Sequence, residues 1–116
     1  GNDIADAMCI ANAMGELIDY IRTRSPQTRL YVQSMLPINN SFGRYKNLKD
    51  KEQVIRDANV LVAAMAQDKG FTWINLYTAV ADKDGNLRKD LTNDGLHLLA
   101  PGYRIWADII RPYINE

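Results

Sequence analysis

The chain has 116 residues, 47% hydrophobic and 24% charged, a balance that supports one domain with a buried core and argues against disorder. Fourteen Lys and Arg offset fourteen Asp and Glu, so no global field draws in nucleic acid or an anionic membrane surface, and no apolar run is long enough to span a bilayer. A single cysteine, Cys9, excludes an internal disulfide, and together with a single histidine it cannot build a typical zinc site; no cofactor is implied.

In chain order, Ala7, Ile10, Ala11, Met14, Leu17, Ile18 and Ile21 recur at three- and four-residue steps, which predicts an amphipathic helix from about Asp6 to Arg24, ended by Ser25-Pro26. Cys9 lies beside its apolar face and is expected as a buried, inert thiol, with Met8, Met14, Met35 and Met65 in or near the core. Leu30 to Leu36, closed by Pro37, reads as a short buried strand. Ile38 to Lys49 is too irregular for either period and rich in hydrogen-bonding groups, so it is expected as a surface loop.

A second helix begins around Asp50 and turns Val54, Ile55, Ala58, Leu61, Val62 and Met65 to one side, with Gly70 as its C-terminal cap. Phe71 to Leu76 reads as a second strand, and Asp84-Gly85-Asn86 as a turn in the connection that follows. A last helix starts at Pro101, buries Ile105, Trp106, Ile109 and Ile110, and is expected to stop at Pro112. This order implies parallel strands joined by crossovers. Two parallel strands leave apolar surface uncovered, so further strands before Gly1 or another copy of the chain are expected to cover the edge. Gly1 fits a vector remnant, an internal residue or a proteolytic end, and the true start is expected upstream.

His97 is the sole histidine and hence the sole imidazole available as a general base. Asp94, three residues earlier, is placed to accept a hydrogen bond from one ring nitrogen, and Gly95 allows a tight turn between them. Taken alone, Asp-x-x-His is better explained as a plain turn with a surface histidine, since so short a motif recurs by accident.

The flanks extend the pattern. Asn93-Asp94-Gly95-Leu96-His97-Leu98, followed by Gly102-Tyr103 and Trp106, resembles the last block of the SGNH (GDSL-like) hydrolase family. Asn2-Asp3 before Ile4-Ala5 looks like the end of that family's Gly-x-Asn-Asp block, although Gly1 adjoins Asn2 directly. Gln33-Ser34-Met35-Leu36-Pro37 and Phe71 to Tyr77 look like two of its strands. The resemblance implies a three-layer, flavodoxin-like α/β fold. Residues 1–116 would be its C-terminal portion, with two parallel strands and three main helices.

By the same resemblance His97 would be the general base, Asp94 its orienting partner, and Asn2 an oxyanion-hole donor. The family's nucleophilic serine block has no counterpart: Ser25 precedes a proline, Ser34 lies in a strand and Ser41 in the polar loop. The parent protein is therefore expected to be a serine esterase for acyl, chiefly acetyl, esters on small molecules or carbohydrates, and this chain alone is expected to be inactive. Asn39, Asn40, Arg44 and Tyr45 are the candidate substrate contacts, and a periplasmic or secreted site is expected from carbohydrate-active relatives. The alternative is a noncatalytic binding or structural remnant of the same fold. The chain is expected to pair with another copy or with the missing N-terminal segment.

Overall fold

The computed structural model describes residues 3–48 and 50–115. Asn2, the expected oxyanion-hole donor, lies outside the described residues. The chain divides into two compact units, Gly1–Ser34 with Gln53–Ile74, and Met35–Glu52 with Asn75–Glu116.

In the first unit, helix α1 (Asp3–Arg24) buries a stripe of small residues, Ala7, Ala11 and Gly15, continued by Ile18. The repeat is helical, as its spacing dictates, and the small side chains let neighbouring elements approach closely. Met8 and Leu17 lie outside that stripe and are exposed. Cys9 is also exposed, contrary to the burial expected of it, because it stands two residues from both Ala7 and Ala11 and so points to the opposite side of the helix.

Helix α2 (Glu52–Ala63) buries Val54, Ile55, Ala58 and Val62. A short helix α3 (Ala66–Lys69) follows, and Gly70 caps it in the left-handed region at φ 72°, its N–H donating to Ala66 O at 2.9 Å. Strands β1 (Tyr31–Gln33) and β2 (Thr72–Ile74) pair in parallel, with Tyr31 opposite Thr72, Val32 opposite Trp73 and Gln33 opposite Ile74. Each is shorter than its apolar run, because pairing stops where Ser34 N donates to Ile74 O at 2.9 Å and the chains part. Ala11, Ile18, Val62 and Phe71 form the core of this unit, with Met14, Leu30, Val32 and Trp73 packed against it. Arg22 secures its edge by donating to the carbonyl of Thr28, in the turn before β1, and to those of Lys69 and Gly70 at the C-terminal end of α3.

In the second unit the polar segment after Pro37 is ordered into two short 3-10 turns, Asn40–Phe42 and Lys46–Leu48. After β2 comes a one-turn helix α4 (Tyr77–Val80) and then the expected turn at Asp84-Gly85-Asn86. That turn is organised by Asp82, whose Oδ1 accepts from the N–H groups of Asp84 (2.9 Å) and Asn86 (3.0 Å). Ala81 and Leu87 close it as an antiparallel bridge, and Gly85 takes φ 84°. A 3-10 turn at Lys89–Leu91 leads into the loop that carries Asp94 and His97.

Helix α5 (Ala100–Ile114) has Pro101 in its first turn, as expected. Pro112 does not stop it. It lies inside the last turn, where the missing N–H forfeits one bond near an end that frays in any case. Ile110 is buried, but Trp106 stands 37% exposed, so the buried stripe of α5 is narrower than its apolar sequence. Val80, Leu87 and Leu91 form the core of this unit, with Leu36, Leu98 and Ile105 packed on it. No helix among the described residues is long and apolar enough to cross a membrane.

Candidate active site

The loop from Thr92 to Leu98 is pinched at its base, where Leu99 N donates to Leu91 O at 2.7 Å. Leu91 below it is 1% exposed, and Leu98 packs on the same cluster. Gly102, in the first turn of α5, makes room for that packing, since a Cβ there would lie 2.7 Å from Leu98 Cδ2. The polar loop thus stands on an apolar base.

Within the loop, short-range bonds set the backbone. Thr92, 3% exposed, accepts at Oγ1 from the N–H of Gly95 at 3.0 Å. Asp94 Oδ1 accepts from the N–H groups of both Leu96 and His97, each at 2.8 Å. Gly95 sits at φ 86°, and its carbonyl accepts from Asn39 N at 2.8 Å. A Cβ at Gly95 would fall 2.1 Å from Asn39 O, so glycine is required twice over, by backbone angle and by close approach.

The other carboxylate oxygen, Asp94 Oδ2, lies 2.6 Å from His97 Nδ1 and accepts from the Tyr45 hydroxyl at 3.1 Å. These donors, first the His97 ring and then the two backbone N–H groups, hold the Asp94 carboxyl well below the usual carboxylate range. It is therefore an anion, an acceptor only, and the short contact requires the proton on Nδ1. In the neutral ring that leaves the lone pair on Nε2. The side chain of Asp94 is 11% exposed and that of His97 67%, so the anion faces inward and the imidazole outward.

Tyr45 stands edge-on to the imidazole, ring centroids 6.2 Å apart and planes at 74°. Its hydroxyl is raised above the ordinary phenol value, first by the hydrogen bond to Asp94 and then by burial and the charge of that carboxylate, while Arg44 pulls the opposite way. Of the four residues expected to touch substrate, Tyr45 therefore contacts the Asp94–His97 pair. Asn39 is buried at 5% exposure: its Nδ2 donates to Leu87 O at 2.8 Å, and its Oδ1 accepts from Ser41 N at 3.0 Å. Both ends of the Asn39 amide are thus engaged within the loop. Asn40 donates to Leu48 O at 3.1 Å and to Glu52, and Arg44 is exposed.

Thr92 escaped the sequence reading. Its signal was a hydroxyl residue three before a glycine, a spacing that side-chain turns use. Ser25 shares a hydroxyl–hydroxyl bond with Thr28, Ser34 is 6% exposed, and Ser41 Oγ donates to Asn39 Oδ1 at 2.5 Å. Among the described residues no group of three or more His, Cys, Asp or Glu could hold a metal ion.

A carboxylate and an imidazole so joined form a pair in which the ring can accept a proton at Nε2 while the anion holds the proton on Nδ1. The chain matches the model of the GDSL-like lipase/acylhydrolase family over residues 1–105, and it belongs to that family. No curated protein matches it significantly.

Several solved structures share its fold. A GDSL-like lipase from Bacteroides thetaiotaomicron is 20% identical, with a TM-score of 0.79 over 99% of this chain and 58% of its own. A protein assigned as an acylhydrolase from Bacteroides fragilis is 22% identical, with a TM-score of 0.81 over 99% of this chain and 57% of its own. The esterase domain of the ORF1 protein of a zebrafish retrotransposon is 18% identical, with a TM-score of 0.72 over 94% of this chain and 59% of its own. The chain thus spans about three-fifths of the length of these structures.

Proposed function

We propose that the protein containing this chain hydrolyses acyl esters, with His97 as general base and Asp94 as its orienting anion, and with a nucleophilic serine supplied from outside these 116 residues. The observation that carries the reading is the 2.6 Å bond from His97 Nδ1 to Asp94 Oδ2, which leaves Nε2 to accept a proton on the exposed side. In the first step the serine oxygen bonds to the ester carbonyl carbon and its proton passes to Nε2. The tetrahedral oxyanion then collapses, the alcohol departs with that proton, and an acyl-enzyme remains. Water repeats the sequence and releases the acid. Throughout, Asp94 stabilises the imidazolium without taking its proton.

What supports an outside serine is that Ser25 is bonded to Thr28, Ser34 is buried and the Ser41 hydroxyl donates to Asn39, so none of the three is shown bonded to His97, and that the solved structures of this fold are longer than this chain. Acetyl esters on carbohydrate are the substrates proposed. The support is the polar loop from Ile38 to Leu48, which reaches the pair through Tyr45 and keeps Ser41 and Arg44 exposed.

The test is hydrolysis of an activated acetate ester by the full-length protein with His97 intact and with His97→Ala. The substitution is expected to lower kcat by roughly 10^4-fold or more. Equal rates would remove His97 from the reaction and favour a noncatalytic role for the fold.

A further inference from the structure

We propose that Tyr45 is a positioning residue for the acid–base pair: its hydroxyl holds Oδ2 of the Asp94 carboxylate in place for the imidazole, and its ring edge steadies the His97 imidazole. The inference rests on the reading of His97 as the base and deepens it.

The argument begins with how a carboxylate is held. Asp94 Oδ1 receives two backbone N–H groups at 2.8 Å and the Thr92 hydroxyl at 3.3 Å, which orient the group from one end; the other end, Oδ2, is restrained by whatever binds it directly. One donor to Oδ2 is the imidazole at 2.6 Å, a group that gains and loses a proton twice in each catalytic cycle. The other is Tyr45, at 3.1 Å. A phenol near neutral pH keeps its proton and its direction. Tyr45 therefore gives Oδ2 a bond whose strength does not follow the charge on His97, so the acceptor is in place whenever the ring needs it.

The imidazole needs lateral support because two-thirds of its side chain faces solvent. The Tyr45 ring stands at 74° to it, in the edge-to-face range that aromatic pairs prefer. Tyr45 is itself held: it lies between two 3-10 turns, and its carbonyl accepts from Leu48 N at 3.2 Å. A substrate contact, the role its sequence setting suggested, would not require a hydroxyl directed at the inward-facing carboxylate.

The experiment uses Tyr45→Phe in the full-length protein, a change that keeps the ring and removes the donor. Two readouts are needed. The first is the far-downfield proton resonance of the short Nδ1–H···Oδ2 bond, assigned by its loss in His97→Ala. In Tyr45→Phe it is expected to shift and to exchange faster with water. The second is steady-state kinetics, where kcat is expected to fall about fivefold to tenfold with KM changed by less than about twofold. Tyr45→Leu, which also removes the ring edge, is expected to lower kcat further.

An unchanged resonance and unchanged kcat in Tyr45→Phe, with His97→Ala inactive, would overturn the proposal and leave the esterase reading standing. A rise in KM alone would overturn it in favour of substrate contact. A shifted resonance in Tyr45→Phe, with His97→Ala as active as the parent, would sustain the positioning and dismiss the esterase reading.

Discussion

The core of Ala11, Ile18, Val62 and Phe71 and the core of Val80, Leu87 and Leu91 are buried to similar depth, yet they are held by different means. The first is enclosed by α1, α2 and a parallel strand pair, elements whose apolar residues repeat along the chain. Many contacts share its stability there, and no single side chain decides the shape. The second lies under turns, each fixed by one or two bonds from a particular side chain to the backbone: Asp82 at one bend, Thr92 and Asp94 at another, and Asn39 reaching Leu87 O. Periodic packing tolerates error and turn chemistry does not, and the candidate site belongs to the second kind of structure.

Gly95→Ala should separate the two most sharply. Left-handed strain of about 1–2 kcal/mol for a residue with a Cβ adds to a clash with Asn39 O, for a total loss of about 4 kcal/mol or more in chemical denaturation. A loss under about 1 kcal/mol would show that the loop relaxes freely and would erase the contrast. Thr92→Val comes next. It deprives the Gly95 N–H of its acceptor in a buried position and should cost about 1–3 kcal/mol, read from the shift of the denaturation midpoint. Ile18→Val, a methylene removed from the periodic core, should cost only about 0.5–1.5 kcal/mol in the same assay. If Ile18→Val proved more damaging than Thr92→Val, the distinction would be reversed.

The same division governs what could be read without coordinates. The helical stripe of α1 is written in its spacing, and the Gly70 cap and the turn at Gly85 are written in residue type. Strand limits were not legible, because the lengths of β1 and β2 are set by where each leaves the other, a property of the pair. Exposure of Cys9 and Trp106 was missed for a related reason: a stripe shows which side of a helix is apolar but not how wide a neighbour covers it. Pro112 escaped because a proline in the final turn loses little.

At the site, the contact between Asp94 and His97 was legible because it spans three residues. Tyr45 reaches Asp94 across 49 positions, and no local pattern encodes that contact. The burial of Asn39 was not legible because polar residues in an irregular segment carry no mark of burial, which here follows from the bonds its amide makes.

The bonds between Thr92 and His97 also bear on the order in which the molecule assembles. All link residues no more than three apart, so closing them demands little loop entropy, and they can form early as the chain folds. The ties from Asn39 to Gly95 and from Tyr45 to Asp94 close far longer loops and must wait for the second core. Chain entropy therefore favours shaping the acid–base pair before the segment from Ile38 to Leu48 anchors it.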